Sequence, residues 1–361
     1  MDDLRTGLSY GDVLLVPQHS PVDSRSDVDL STPLTPGVEL DTPLLSAPMD
    51  TVTEDETAIA LGRAGGFGTI HRFLGVEEQA AEVRTVAEAG QPVGAAVGIA
   101  EDTVGRTAAV LEAGADCAMV DVAHGHLERC LDAVETIAGE FPDAPLVAGN
   151  VATPAGVRDL YHAGADAVKV GIGPGSHCTT RRVAGAGVPQ LTAVDDCAEQ
   201  AREFEIPVIA DGGIRSSGDA VKALMAGADT VMMGSLFAGT EEAPPEIVEI
   251  DGRRYKRSRG MATTAANDDR SDKEGDVAAD EGVEGFTEYT GPLGDVAAEF
   301  NAGIRSGLSY CGGHTIPAAR EKAEFIRVEQ AAKEREGAHT TDRMIRSTPH
   351  RFSPGRATGQ V

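Results

Sequence analysis

The chain has 361 residues, with 58 acidic against 31 basic side chains and a formal net charge of −27. That charge opposes binding to nucleic acids and to anionic membranes. It suits a surface solvated in a salt-rich cytoplasm, where screening removes much of the self-repulsion. Apolar residues make up 41%, enough for a large core, and aliphatic side chains must fill it because aromatics are only 4% and Trp is absent.

Five cysteines (Cys117, Cys130, Cys178, Cys197 and Cys311) are scattered without CxxC or metal-site spacing, the pattern of free thiols in a reducing compartment. Met1-Asp-Asp-Leu is no signal peptide, and no apolar run nears the ~18 residues of a membrane span. A cytoplasmic protein is expected.

In chain order, residues 1–45 are rich in Pro and Asp and read as an N-terminal arm over the bottom of the fold. Short apolar runs at 92–97, 145–148 and 207–210 read as strands buried on both faces. Between them recurs one phrase: Ala113-Gly-Ala-Asp-Cys-Ala-Met-Val, Ala163-Gly-Ala-Asp-Ala-Val-Lys-Val and Ala226-Gly-Ala-Asp-Thr-Val-Met-Met. Each copy follows an Ala-rich helical stretch (103–112, 154–162, 218–225), uses Gly as a left-handed C-cap and leads into another buried strand. Such alternation means parallel strands with right-handed crossovers.

No GxGxxG opens the first unit. Polar or Gly-rich clusters instead follow several strands: Asp121-Val-Ala-His-Gly-His, Gly149-Asn150, 171–180, Asp211-Gly-Gly and Gly234-Ser235. Functional groups at many strand C-termini are the arrangement of a (β/α)8 TIM barrel rather than a doubly wound sheet. One α/β barrel domain over 1–361 is therefore expected. Residues 262–290, polar and charged, read as a disordered insertion or an active-site flap. The charged tail, 329–361, is expected to be mobile or pinned by a neighbouring subunit.

The chemistry concentrates in Gly171-Ile-Gly-Pro-Gly-Ser-His-Cys-Thr-Thr-Arg181. Glycines in a strand-to-helix loop let backbone N–H groups face an anion, and Ser176 adds a hydroxyl. Cys178 beside that site reads as a covalent nucleophile, against the plainer alternative of a Gly-rich turn holding a buried cysteine. Asp211-Gly212-Gly213 and Gly234-Ser235 end successive strands, where barrel phosphate sites form. The Asp211 carboxylate suits a ribose diol, although it could merely cap a helix. Together these clusters imply a ligand with phosphate, ribose and base beside Cys178, which is a nucleotide.

The run GIGPGSHCTTR, with SAPMDTVTE (46–54), ADGGI (210–214), MMGS (232–235), RGM (259–261), EGVEG (281–285) and GIRSGLSYCGG (303–313), resembles the IMP dehydrogenase/GMP reductase family from Leu8 to about Val328. The resemblance implies a barrel, usually tetrameric, whose cysteine attacks purine C2 while nicotinamide (NADP or NAD) carries a hydride to or from the adduct. By motif, Cys178, Thr180, Glu281 and Arg270 would be catalytic. Ser46, Met49, Ser176, Asp211, Gly212, Gly213, Gly234, Ser235, Gly260 and Met261 would hold a purine mononucleotide, GMP or IMP. Asp121, Val122, Ala123 and Asn150 would meet the cofactor. The Gly171 and Gly173 carbonyls with Cys178 could ligate K⁺, helped by Glu334 or Glu336 of a neighbour.

Features within the family point both ways. Residues 75–92 leave no room for the regulatory CBS pair common in dehydrogenases. Asp269-Arg270-Ser271 stands where dehydrogenases place an Arg-Tyr pair to activate water. Asp121-Val-Ala resembles reductases, whereas His124-Gly-His, EGVEG, GAGVPQ (185–190) and ADGGI read closer to dehydrogenases. Ser258 replaces a Tyr expected near the phosphate, and Arg72 stands where Lys is common. A GMP reductase is preferred, with IMP dehydrogenase the alternative. A non-catalytic nucleotide-binding regulator is a remote third, and an FMN- or sugar-phosphate-binding barrel would leave Cys178 unexplained.

Overall fold

The structure, a computed structural model, describes residues 4–99, 102–263, 281–329 and 332. Eight strands form a closed parallel barrel: Leu44–Ser46 (β1), Phe67–Ile70 (β2), Val93–Val97 (β3), Cys117–Asp121 (β4), Leu146–Val151 (β5), Ala167–Val170 (β6), Val208–Asp211 (β7) and Thr230–Met233 (β8). Each pairs with its sequence neighbours, and β8 closes on β1. The outer ring is Asp55–Arg63 (α1), Val76–Glu88 (α2), Thr103–Glu112 (α3), Glu128–Glu140 (α4), Pro154–His162 (α5), Gln190–Glu203 (α6), Ser217–Met225 (α7) and Leu293–Cys311 (α8). Helix α2 passes to β3 through residues 89–92 alone. Among the described residues no helix is long and apolar enough to cross a membrane.

The repeated Ala-Gly-Ala-Asp phrase has a structural meaning. Gly114, Gly164 and Gly227 follow α3, α5 and α7 with φ of +106°, +107° and +117°, a region costly for residues with a Cβ. The Asp two residues later then clamps the strand before the helix. Asp116, Asp166 and Asp229 each accept through a carboxylate oxygen from the first N–H of that strand, at Val93 (2.8 Å), Leu146 (2.8 Å) and Val208 (2.9 Å). One local motif thus ties three helix–strand returns into register.

Period-2 alternation sorts the strand residues. Ala118, Val120, Ala148, Val168 and Ala210 face the helices, whereas Met119, Val147, Ala167 and Ile209 fill the barrel interior. The hairpin Thr32–Thr35/Val38–Leu40 closes the bottom by inserting Leu34 and Leu40 into that interior cluster. At 0% and 3% exposed, each contributes about 1.5–3 kcal/mol of apolar burial.

Two expectations need correction. The arm is not confined to the bottom, because Tyr10 packs beside Gly213 at the opposite end and its carbonyl accepts from Lys222 Nζ at 2.9 Å. Nor is 262–290 all loop: Glu284–Glu288 is the edge strand of an antiparallel sheet with Arg253–Arg259 and Ile247–Ile250. The sheet's backbone pairing makes up for a segment with little apolar periodicity of its own. Residues 264–280, with Arg270, lie outside the described residues, as does the expected tail apart from Glu329 and Ala332.

Candidate active site

Extending the interior alternation one step upward replaces apolar residues by polar ones: Asp121 above Met119, Gly149 above Val147, Lys169 above Ala167 and Asp211 above Ile209. Lys169 is 2% exposed, and its Nζ lies 2.8 Å from Asp121 Oδ1 and 2.5 Å from Asp211 Oδ2. Burial alone would depress this ammonium, but the charges of Asp121 and Asp211 outweigh it and raise its pKa above the ordinary lysine value. Gly149, lacking a side chain, leaves room for the Lys169 stem. Asn150 Nδ2 donates to Asp211 Oδ2 at 2.9 Å and to the Gly171 carbonyl at 2.7 Å. Asp211 is therefore no helix cap; Ser216 caps α7, accepting from Asp219 N.

Above this layer lies a cavity of about 200 Å³, bordered by Met49, Cys178, Asp211, Met261 and Glu281. The Cys178 thiol donates to Thr180 Oγ1 at 3.1 Å, and the Thr180 hydroxyl donates to Glu281 Oε2 at 2.7 Å. This relay spans 101 residues of sequence and is held by main chain: Thr179 N donates to the Glu281 carbonyl, and Cys178 bridges Gly282. Arg181 lies near Cys178, its guanidinium donating to the Ile172 and Val188 carbonyls.

The cavity's other end is built from Ser176, Gly212, Gly213, Gly234 and Ser235. Gly212 and Gly213 have φ of +85° and +78°, consecutive left-handed residues that turn main-chain N–H groups to one side. Among the described residues no acceptor meets the backbone N–H of Ser176, Gly213 or Ser235. All three line the cavity, and donors without protein acceptors are what an anion would use.

A second cleft, about 490 Å³, adjoins the first across Met49, Asp211, Met261 and Glu281 and is lined further by Arg72, Asp121, Val122, Ala123, Asn150 and Lys169. The buried Oδ1 of Asn150 has no protein partner there. It is an acceptor available to a polar ligand group.

The sequence pattern of the IMP dehydrogenase / GMP reductase domain matches residues 7–339. An inosine-5′-monophosphate dehydrogenase of Nitrosopumilus maritimus is 36% identical, over 91% of this chain and 97% of its own length. A GMP reductase of Leishmania donovani is 33% identical, over 94% and 98%. A crystal structure of GMP reductase C318A from Trypanosoma brucei in complex with guanosine 5′-monophosphate superposes with a TM-score of 0.90 and 32% identity, covering 94% of this chain and 99% of that one. The chain belongs to the IMP dehydrogenase/GMP reductase family. It is an oxidoreductase of that family, on a TIM barrel.

Most residues that the family motifs single out meet at these two clefts. Met49, Ser176, Cys178, Asp211, Gly212, Gly213, Gly234, Ser235, Gly260, Met261 and Glu281 line the first, and Asp121, Val122, Ala123 and Asn150 the second. Ser46 does not join them. It is fully buried at the end of β1, and Ala47 lines the cavity above it. Around Gly171, Gly173 and Cys178 the Gly171 carbonyl takes the Asn150 amide, and the Arg181 guanidinium lies along the loop, donating to the Ile172 carbonyl. Two residues that motif reading passed over are central. Lys169 carried a signal, being a charge inside an apolar four-residue strand. His177 sat unremarked within the Gly-rich run.

Proposed function

We propose that the protein acts on a purine mononucleotide through a covalent adduct between Cys178 Sγ and purine C2, and that it is a GMP reductase. In that reaction GMP, NADPH and two protons give IMP, NADP⁺ and ammonium. The observation carrying the reading is the Cys178–Thr180–Glu281 relay, 3.1 and 2.7 Å per step, at the junction of the two clefts.

Thr180 and Glu281 accept the thiol proton as Sγ adds to C2, and they return protons to the amino group as it leaves. Ser176, Gly213 and Ser235 hold the phosphate through N–H groups. Asp211 has one oxygen on Lys169 and Asn150, which leaves Oδ1 for the ribose hydroxyls. Met49 and Met261 bracket the base. Asp121 and Asn150 would hold a nicotinamide beside the purine, and that group would supply the hydride whose addition to C2 releases the purine from Cys178.

The direction rests on the adduct's fate. A dehydrogenase must hydrolyse it, whereas this chain sets Ser271, not a phenol, beside Arg270. The missing insertion does not discriminate. Alignments to relatives of both names run to 462 and 483 positions, beyond this chain's 361 residues, so both kinds carry residues this chain lacks.

A second reading, IMP dehydrogenase (IMP, NAD⁺ and water to XMP and NADH), draws on relatives of that name at 36–38% identity against 33% for the reductases. The test is a paired assay in high salt, GMP with NADPH and IMP with NAD⁺, followed at the reduced-nicotinamide absorbance. Oxidation of NADPH with GMP is expected. Turnover with IMP alone overturns the reductase reading, and full turnover by Cys178→Ala overturns the covalent mechanism.

A further inference from the structure

His177 lies between the nucleophile and the anion site, with a side chain that the relay does not use. One end of its ring is anchored. Nε2 lies 2.9 Å from Ser258 Oγ, and Ser258 Oγ lies 2.8 Å from Thr287 Oγ1. The two hydroxyls come from adjacent strands, Arg253–Arg259 and Glu284–Glu288, and Ser258 is only 1% exposed. The other end lies beside Ser176. Nδ1 lies 3.3 Å from Ser176 Oγ, and His177 lines the cavity beside Ser176, Gly213 and Ser235. The main chain is fixed too, since the His177 carbonyl accepts from Val283 N at 3.0 Å.

No Lys or Arg is among the described residues that line this cavity. An anion must therefore be held by neutral N–H and O–H donors. Burial lowers the His177 pKa and so favours the neutral ring, with one N–H and one acceptor nitrogen. A proton on Nε2 would turn the Nδ1 lone pair toward the anion. In the opposite order Thr287 O–H donates to Ser258 Oγ, Ser258 O–H donates to Nε2, and Nδ1 keeps the proton, free to face an anion.

We propose that His177 is a phosphate-binding residue of the nucleotide site, donating from Nδ1–H to the 5′-phosphate, and that Ser258 is the positioning residue that fixes this tautomer. The proposal rests on the mononucleotide reading of the cavity and adds a donor that the motifs do not assign. It also gives Ser258 a task at the phosphate end despite its short side chain.

The experiment titrates the full-length wild type, His177→Leu, His177→Gln and Ser258→Ala with GMP and with guanosine by calorimetry. His177→Leu is expected to weaken GMP binding about ten- to a hundredfold, the range of one hydrogen bond to a charged group. Guanosine affinity should not change, which also shows the site is still folded. His177→Gln, with an amide donor, should recover part of the loss, and Ser258→Ala should show a smaller loss confined to GMP. Unchanged GMP affinity in His177→Leu, or equal losses for GMP and guanosine, overturns the proposal alone. A wild type that binds neither GMP nor IMP overturns the mononucleotide reading beneath it.

Discussion

Lys169→Met keeps a stem of similar length and deletes the charge that joins Asp121 to Asp211. At an effective dielectric of ~20, contacts of 2.8 and 2.5 Å are each worth roughly 6–7 kcal/mol of Coulomb attraction. Burying the three charged groups opposes this by several kcal/mol per ion. The charges of Asp121 and Asp211 raise the Lys169 pKa against the depressing effect of burial. Without the cation, two carboxylates share one layer with Asn150 as the remaining polar partner of Asp211. Losing one member of a buried pair costs about 3–5 kcal/mol. Because Asp121 and Asp211 keep 26% and 19% of their side-chain exposure, water recovers some of this, and the lower end of the range is expected. Urea denaturation followed by circular dichroism, at fixed salt, reads the loss as a lower midpoint at constant slope. Adding Asp121→Asn to the variant should restore about 1 kcal/mol by removing one uncompensated charge. A Lys169→Met protein within about 1 kcal/mol of wild type would refute the view that the ammonium holds the two clefts' carboxylates together.

Three further outcomes are expected. Burial pushes the Cys117 and Cys197 thiols up to about 12 and Cys130 to about 11, and raises Cys311 as well. Iodoacetamide on the native protein at about pH 8 should therefore label Cys178 alone, and peptide mass spectrometry showing a second site at a similar rate would contradict this. Glu281→Gln, which interrupts the relay from Thr180, should lower kcat by about 10²–10⁴ while GMP binding by calorimetry stays within a few-fold; wild-type turnover would remove Glu281 from the proton path. Asp166→Ala strands the Leu146 N–H at the foot of β5 and should reduce stability by about 1–3 kcal/mol, with turnover per folded molecule preserved. A loss below about 0.5 kcal/mol in urea titration would show that the repeated Asp is no clamp.

Much of this protein was legible locally. The Ala-Gly-Ala-Asp phrases marked helix ends, buried strands and the turns between them, because left-handed glycine and unbroken apolar runs are properties of a few adjacent residues. Polar clusters after successive strands pointed to one face of a barrel, and the Gly-rich run carries Cys178 into the cavity that Gly213 and Ser235 also line. The flap was harder. Glu284–Glu288 alternates exposed and half-buried residues and has no apolar period, so its strand character depends on hydrogen bonds to Arg253–Arg259.

The sequence by itself determined the alternating architecture and marked the Gly-rich loop that carries Cys178. Tertiary packing decided the rest. Lys169 meets Asp121 and Asp211 because barrel strands far apart along the chain end in the same layer, and His177 meets Ser258 because the loop after β6 packs on the antiparallel sheet that holds Ser258 and Thr287. Cys178, recognisable from its own loop, gains its proton relay the same way, when Glu281 folds back from 101 residues beyond Thr180. Local pattern encodes backbone conformation, whereas the charge pairing and proton order of a buried site depend on distances that exist only once the barrel has closed.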